Sequence, residues 1–274
     1  MATYAVLGST GNCGSALVQS LLAQSTEVRV NAYCRNKPKL LRLIPQAVDN
    51  KQVHVYEGSM DDDTLMDGCI RGAKAVFLAV TSNNNSPGHR LNTDVALTAI
   101  RAIYRLRDEA SKASPESKYV PPKLVLLSAS CIDDHLARSM PKWFRPIMLR
   151  AASNIYADLD RAEAVMRSHD HWIASIFIKP SGLSPDISRG HRLTLDDQES
   201  FVSYLDLAAG MIEAADDEHG RYEGRNVGVV NKVPGQGAKL PSGTPMAITL
   251  GFIQHFLPWL HPYLPDAGPE KSVI

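Results

Sequence analysis

The sequence of 274 residues lacks an excess of charge of either sign, because its 29 Lys and Arg are matched by 29 Asp and Glu. Proteins that bind nucleic acid through phosphate contacts usually carry a basic excess. The balance therefore argues against a nucleic-acid partner, and also against a polybasic membrane anchor.

Cysteine is scarce, and its spacing matches neither a disulfide framework nor a zinc site. The four cysteines are scattered, with no CxxC and no Cys/His pair at zinc spacing: Cys13, Cys34, Cys69 and Cys131. We expect buried thiols in a reducing compartment. His169-Asp170-His171 has no evident third ligand, so we predict no metal site. No apolar signal core follows Met1, which favours a cytoplasmic location.

Uninterrupted apolar runs of membrane-spanning length are also missing. The most apolar stretch, residues 245–265, contains Gln254, His255, Pro258 and Pro262. A membrane-spanning helix needs about 20 consecutive apolar residues. We therefore predict no membrane span, and instead a helix that packs on its own domain or on the second subunit of a homodimer.

Short apolar runs alternate with amphipathic segments of helical length, in a chain that is 44% hydrophobic. The predicted strands are 3–7, 28–34, 52–56, 75–80, 124–128, 172–178 and 226–230, and the main predicted helices are 15–24, 63–71, 93–111 and 152–167. This order predicts an α/β fold with a doubly wound parallel sheet, the Rossmann fold. We expect one NAD(P)-binding domain over 1–274, in which 184–274 form a small C-terminal substrate or lid lobe.

Polar and Gly/Pro-rich stretches interrupt this alternation. We expect residues 111–122 to form a surface loop and residues 184–200 to form a flap over a substrate site. Residues 231–244 should form a connector.

A glycine motif lies between the first strand and the first helix. It reads Gly8-Ser9-Thr10-Gly11-Asn12-Cys13-Gly14, with the spacing GxxGxxG. Small residues there let the backbone approach a pyrophosphate, and the helix N-terminus offers free N–H groups. We expect the cofactor-binding residues to include Gly8, Thr10, Gly11, Asn12, Cys13 and Gly14. The alternative is a tight turn without a ligand.

The end of the second strand indicates which dinucleotide binds. An NAD site would place an acidic residue there, but this chain has Cys34 followed by Arg35-Asn36-Lys37-Pro38-Lys39. Cations without a carboxylate suit the 2′-phosphate of NADP(H), which Arg35 can bind in bidentate fashion and Lys39 can support. The alternative is a solvated basic helix start.

These motifs resemble the atypical short-chain dehydrogenase/reductase superfamily, its NmrA-like group, and most closely the averufin oxidase A family of fungal polyketide tailoring proteins. Gly58-Ser59, Leu126-Leu127-Ser128, Lys179-Pro180-Ser181-Gly182 and Tyr204-Leu205-Asp206-Leu207-Ala208 recur in the family's order, over about residues 3–230. The resemblance implies that Ser59, Val80, Thr81 and Lys179 also contact the cofactor.

The resemblance also implies a catalytic set with one departure. Superfamily members use a Ser, a Tyr and a Lys four residues after the Tyr. Ser128 and Tyr156 stand where the first two belong, but Asp160 occupies the Lys position. Tyr156, Asp160 and Glu163 share one helix face. Neighbouring carboxylates would keep Tyr156 protonated, so it would donate rather than accept a proton. The alternative is a solvated acidic helix surface.

His135 is a further candidate, since it follows strand five and titrates near neutrality. The preceding pair, Asp133 and Asp134, is more typical of a helix cap.

We therefore predict an NADPH-dependent oxidoreductase whose small-molecule substrate is an aromatic polyketide, such as an anthraquinone or xanthone. The alternatives are a non-catalytic NADP-binding regulator of the NmrA type, which would explain the missing Lys, and an isomerase or dehydratase on the same fold.

Overall fold

The computed structural model describes residues 1–114, 119–199 and 201–266. The strands are β1 Ala2–Leu7, β2 Val28–Cys34, β3 Val53–Glu57, β4 Ala75–Leu78, β5 Lys123–Leu127, β6 Ser175–Ile178, β7 Leu183–Ser184, β8 His191–Thr194, β9 Val202–Ser203 and β10 Asn226–Asn231. The α-helices are α1 Asn12–Gln24, α2 Lys37–Leu43, α3 Asp63–Ile70, α4 Leu91–Ala113, α5 Phe144–Ala151, α6 Ser153–Arg167, α7 Tyr204–Asp216 and α8 Thr244–Phe256.

The main sheet confirms the doubly wound fold. Its strand order is β3-β2-β1-β4-β5-β6-β10-β8, and its pairs are parallel except that β8 runs antiparallel to β10. The chain builds outward from β1 to β3, then returns to place β4 on the other side of β1. Such a reversal opens a crevice at the carboxyl ends of the strands, where ligands bind in this class of fold.

Helices cover both faces of the sheet and bury two hydrophobic cores. One core packs α1, α2 and α7 on the face that carries Val6, Phe77 and Ile178. The other packs α3, α4 and α6 on the opposite face, which carries Leu7 and Phe177. Both faces of β4 are therefore buried, which is why its sequence is continuously apolar.

The segment 184–200, which we expected to form a flap over a substrate site, contains regular structure, and its Leu195 and Asp196 line a cavity beside Asp133 and Glu163. It contains β8, which extends the sheet at the edge of β10. The predicted loop at 111–122 is partly helix, because α4 continues to Ala113. Residues 115–118 of that loop, Ser200 and the last part of the C-terminal lobe, 267–274, lie outside the described residues.

The predicted C-terminal helix is present as α8, and it packs closely against α5. A Cβ atom on Gly251 of α8 would lie 2.0 Å from the carbonyl oxygen of Ala151, so the two helix backbones are almost in contact. Buried Gln254 of α8 accepts a hydrogen bond from the Asn85 backbone N–H at 2.9 Å, which ties α8 to the loop between β4 and α4. None of the described helices is long and apolar enough to cross a membrane.

The cysteines are free and buried, as the sequence predicts.

The loop between β1 and α1 depends on two glycines. Gly8 has a φ of +94°, in the left-handed region that disfavours side chains. Gly14, in the first turn of α1, faces the loop, and a Cβ there would lie 2.1 Å from the Gly8 carbonyl oxygen. A Cβ on Gly11 would come no closer than 3.4 Å to any heavy atom outside its immediate chain neighbours, so that side of the loop is open.

The carboxylate of Asp158, on α6, caps the N-terminal end of helix α4. Its buried carboxylate accepts hydrogen bonds from the Asn92 N–H at 2.7 Å and the Thr93 hydroxyl at 2.6 Å, and it lies 2.9 Å from His89 Nδ1. Burial alone would raise the pKa of Asp158, but hydrogen bonds from Thr93, Asn92 and His89 hold it below its ordinary value. This carboxylate therefore fixes the start of α4 against α6.

The glycine contacts predict that Gly14→Ala destabilises the protein more than Gly11→Ala does. The new methyl group at position 14 must displace the Gly8 carbonyl, and such overpacking costs about 1–3 kcal/mol. The methyl group at position 11 has room, so we expect a change below about 1 kcal/mol there. Urea unfolding of the two variants measures the difference, and equal losses would contradict this account of the loop.

The cap predicts a pH-dependent loss of stability in Asp158→Asn. Removing this buried charge should lower the free energy of unfolding by about 3 kcal/mol at pH 7. A depressed folded-state pKa stabilises above the unfolded pKa of about 3.9, and the contribution disappears as the pH falls through the folded pKa. The gap to wild type, followed by urea unfolding, should therefore close below about pH 4. Asp94→Asn, at an exposed position of α4, is the control and should differ little from wild type.

Candidate active site

The N-terminus of α1 forms the first half of the site. Gly11 is the N-cap, with extended backbone, and neither a side-chain cap nor an acidic residue occupies the first turn of this helix. The N–H groups of this turn and the positive end of the helix dipole suit an anion. Gly11 is exposed, so a ligand can approach this turn from solvent.

The remaining loop residues differ in how far they are buried. Thr10 and Asn12 are half-buried, and the Asn12 side chain hydrogen-bonds Tyr204. Cys13 turns inward, since its Sγ lies 3.6 Å from Met211 Sδ, and burial raises its pKa to about 12. Cys13 can therefore serve a ligand only through its backbone.

The end of β2 presents basic side chains to solvent. Arg35 and Lys37 are exposed, and Asn36 caps α2 by accepting a hydrogen bond from the Lys39 N–H at 2.8 Å. The carboxylate in this region, Glu57 of β3, accepts from the backbone N–H of Lys37 at 2.8 Å. Arg35 thus follows β2 directly, at the chain position where an NAD site has a carboxylate.

Three residues that the resemblance implies lie along the same edge of the sheet. Ser59, after β3, is exposed and accepts from the Asp61 N–H at 3.1 Å. Val80, after β4, lies beside the glycine loop, with its Cγ2 2.9 Å from where a Gly8 Cβ would be. Thr81 is exposed next to it. The loop, the uncapped helix and Arg35 together fit a nicotinamide dinucleotide.

The carboxyl ends of β5 and β6 carry a buried group of charges. Ser128, directly after β5, donates its hydroxyl to Glu163 Oε1 of α6 at 2.5 Å. Lys179, directly after β6, lies with its Nζ 2.8 Å from the same oxygen. Residues 128, 163 and 179 are 6%, 8% and 2% exposed. The sequence places Lys179 among the cofactor contacts, and the structure sets its ammonium against Glu163.

Further polar groups close this cluster into a ring. Asp133 Oδ2 lies 3.8 Å from Lys179 Nζ and accepts from the Asn226 amide at 2.5 Å. Arg167 donates to the Asn226 amide oxygen at 2.6 Å and lies 3.8 Å from Glu163 Oε2. Asp133 also accepts from the N–H groups of residues 135 and 136, as in a cap, whereas Asp134, the other member of the predicted pair, is exposed and pairs with Arg145.

Tyr156 hydrogen-bonds Cys131. Burial raises the pKa of Tyr156 well above its ordinary value, and the Cys131 thiol adds to the effect. The sequence predicts a protonated Tyr156 because of nearby carboxylates. In the structure the pKa of Tyr156 is also raised, but the causes are burial and Cys131 and not carboxylates.

Asp160 and His135 both lie at the solvent side of the site. Asp160 is exposed, and its pKa is raised first by partial burial and then by the charge of Glu163. His135 has a side chain that is 59% exposed, and its Nε2 lies 3.1 Å from Asp196 Oδ1. Neither residue belongs to the buried ring.

A cavity of about 790 Å³ opens over this cluster. Its lining includes Asp133, Asp160, Glu163, Arg167, Lys179 and Asn226. A volume of this size accommodates a ligand of several rings. The described residues contain no group of acidic, His or Cys side chains that could hold a metal ion.

Sequence reasoning placed Glu163 on the acidic helix face but did not pair it with Ser128. It gave Arg167 and Asn226 no role. The contacts of these residues join α6 to strands far away in the chain, so no local pattern indicates them. One contact could have been anticipated. Because β5 and β6 are parallel neighbours, residues 128 and 179, which follow them, lie at the same edge of the sheet.

Comparisons with known proteins agree with this geometry. A family model described as NAD(P)H-binding matches residues 8–218. The chain is 53% identical over 269 residues to Oxidoreductase GME11367 of Pestalotiopsis microspora, covering 98% of this chain and 100% of that protein. It is 61% identical over 229 residues to Oxidoreductase dmxR7 of Cryptosporiopsis sp., covering 84% and 94%.

Solved structures resemble the chain in fold. A short-chain dehydrogenase/reductase of Veillonella parvula in complex with NADP aligns with a TM-score of 0.63 at 18% identity, over 88% of this chain and 99% of that one. The match over residues 8–218 shows that the chain belongs to the NAD(P)H-binding family. Its identity to the two fungal oxidoreductases shows that it is their homologue.

Proposed function

We propose that the protein is an NADP-dependent oxidoreductase that modifies an aromatic polyketide of anthraquinone or xanthone type. Within the NAD(P)H-binding family, we place it near the averufin oxidase A group that its motifs resemble.

The preference for NADP rests on Arg35. Its exposed guanidinium follows β2 directly, where an NAD site would have a carboxylate. A guanidinium binds a phosphate through two parallel charge-assisted hydrogen bonds. Residues 8–14 would hold the pyrophosphate, and Val80 and Thr81 would line its path toward the nicotinamide.

The proposed substrate class is supported by the cavity that Asp133, Glu163 and Lys179 line. Its volume of about 790 Å³ suits several fused rings, and its polar lining suits phenol and carbonyl oxygens. The bound cofactor would supply hydride transfer. Ser128 and Tyr156 are the hydroxyl groups that we assign to the substrate oxygen, with Tyr156 protonated at neutral pH because its pKa is raised by burial.

A non-catalytic NADP-binding regulator is the second candidate. It is favoured by Asp160 in place of the usual cation and by the engagement of Tyr156 with Cys131. Consumption of NADPH with a panel of hydroxyanthraquinones and quinones separates the two, because only the enzyme oxidises the cofactor.

The cofactor assignment predicts that Arg35→Ala weakens NADPH binding about tenfold or more while NADH binding stays nearly constant. The lost charge-assisted contact to the 2′-phosphate corresponds to about 1.5–3 kcal/mol. Calorimetric titration with both cofactors measures the effect. The control is Arg29→Ala, which removes an exposed arginine from the opposite end of β2. Equal weakening of both cofactors by Arg35→Ala would disprove the 2′-phosphate contact.

The substrate assignment predicts that Tyr156→Phe lowers turnover by about 10²-fold or more without changing NADPH affinity, because a proton donor is lost. Steady-state kinetics on a substrate found in the panel, with calorimetry for the cofactor, test this. Tyr104→Phe, on α4 against Trp172, is the control and should leave turnover unchanged. Near-normal turnover in Tyr156→Phe would remove Tyr156 from the mechanism.

A further inference from the structure

We propose that the outer surface of α5, α8 and the final 3₁₀ helix, Pro258–Tyr263, docks on a lipid bilayer that carries anionic phospholipids. This surface is named the α5–α8 surface below. The inference goes beyond the proposed function and does not depend on it, because docking is measured as binding and not as turnover.

Helix α8 is apolar on its outer face as well as on the face that it buries. Leu250, Gly251 and Gln254 are buried against the rest of the protein. The opposite face carries the exposed side chains of Met246 and Phe256, and α8 contains no Asp, Glu, Lys or Arg. A helix that is apolar all round is normally covered on every side or lies against a membrane. The outer face of α8 therefore calls for an apolar partner.

Exposed aromatic side chains are concentrated on the same surface. Trp143 at the start of α5, Phe256 at the end of α8, and Trp259 and Tyr263 in the final 3₁₀ helix are between 59% and 84% exposed. In the described part of the chain, every Trp, Tyr or Phe that is exposed belongs to this group. Trp and Tyr favour the membrane–water interface, because the ring is apolar while its N–H or O–H group stays hydrated.

The three elements pack together, which joins these side chains into one patch. Helix α8 meets α5 where Gly251 lies against Ala151. The final 3₁₀ helix folds back on α8, with His261 Nδ1 3.0 Å from Gln254 Nε2. Because α5 has eight residues, its two ends lie only about 12 Å apart. A contiguous exposed apolar patch of this kind marks a contact with a partner or a membrane.

The charge around this surface is positive, although the chain as a whole is balanced. Residues 135–157, which include α5, and residues 226–265, which include α8, contain six Lys and Arg and no Asp or Glu. Lys142 and Arg150 flank α5 and are exposed, and no described carboxylate lies within ion-pair distance of either. The whole-chain balance, which argued against a membrane partner, therefore does not describe this surface.

Two carboxylates border the α5–α8 surface. Asp134 pairs with Arg145 at 2.6 Å, and Asp266 accepts a hydrogen bond from the Asn84 amide at 2.7 Å. Since Arg145 neutralises Asp134, the unpaired cations of α5 exceed the one charge that Asp266 adds.

Cations beside exposed aromatic rings are the combination that binds the surface of an anionic bilayer. Lys and Arg attract the lipid phosphates and carboxylates, while the rings enter the boundary between headgroups and acyl chains. A second copy of the chain fits less well. A two-fold interface is self-complementary, so it would bring the same cations together with no carboxylate of this surface to meet them.

Docking in this way brings the cofactor crevice close to the lipid. Helix α8 contacts the loop between β4 and α4 through Asn85, and His255 Nδ1 lies 2.8 Å from Ser153 Oγ at the start of α6. The same loop begins with Val80 and Thr81, which border the crevice. Fused aromatic rings of the proposed substrate class partition into lipid, so this orientation shortens their path to the site.

The test is flotation of the full-length protein with vesicles of phosphatidylcholine alone and of an equimolar mixture of phosphatidylcholine and phosphatidylserine. We expect partitioning to be about tenfold stronger on the mixed vesicles, and to weaken as added salt screens the cations. Trp fluorescence should shift to shorter wavelength on binding, because Trp143 and Trp259 leave water.

The aromatic contribution is tested by Phe256→Ala/Trp259→Ala. This variant should partition about tenfold or more weakly into both kinds of vesicle, since it loses apolar area that enters the interface. Val48→Ala/Val120→Ala, which shortens two exposed apolar side chains elsewhere, is the matched control and should bind like wild type. Calorimetric NADPH affinity should stay constant in both variants and shows that they are folded.

The electrostatic contribution is tested by Lys142→Ala/Arg150→Ala. Binding to the mixed vesicles should fall about tenfold, while the weaker binding to phosphatidylcholine should stay constant. Lys51→Ala/Arg192→Ala, which removes exposed cations beside β3 and on β8 at the two edges of the sheet, is the control and should keep the wild-type preference.

The proposal is overturned if wild type does not float with the mixed vesicles, or if the control variants lose as much binding as the test variants. It is also overturned if sedimentation shows a dimer that Phe256→Ala/Trp259→Ala dissociates while no vesicle binding occurs, because a second copy of the chain would then be the partner of this surface.

Discussion

The close approach of helix α1 to the loop that precedes it is the constraint on which the site depends. Gly14 lies so close to the Gly8 carbonyl that no side chain would fit at position 14, and Gly8 itself adopts a positive φ. Only this packing lets α1 begin at Asn12, immediately above the end of β1. The helix N-terminus then lies at the crevice between β1 and β4, where ligands bind in this class of fold.

The second constraint is electrostatic and lies at the ends of β5 and β6. Charged side chains are rarely buried, because their removal from water costs several kcal/mol each unless partners replace the lost hydration. Here Glu163, Lys179, Asp133 and Arg167 form a ring that partners every charge. The ring holds the ends of β5 and β6 against α6, because displacing one member would leave a buried charge without its partner.

Local pattern predicts the elements of this protein well and its polar contacts poorly. The continuous apolar run of β4 and the glycines before α1 are consecutive in the chain, so their meaning can be read locally. The antiparallel strand β8 is short and polar, which made it resemble a flap. The bonds from Ser128 to Glu163, from Asn226 to Asp133 and from Asn85 to Gln254 join distant segments. They depend on how the helices pack, and single-sequence reasoning has no access to that.

The position of the cation changes the chemistry that the resemblance implies. Superfamily members carry it on the helix, four residues after the Tyr, where it lowers the pKa of that Tyr. In this chain Asp160 occupies the helix position, while the buried cation, Lys179, comes from the end of β6 and contacts Glu163. The cation thus lies against a carboxylate and not against Tyr156, whose pKa is raised by burial and by Cys131. On our proposed function, Tyr156 is therefore a proton donor and not a base, and the cation that would have activated it is used to pair a buried carboxylate.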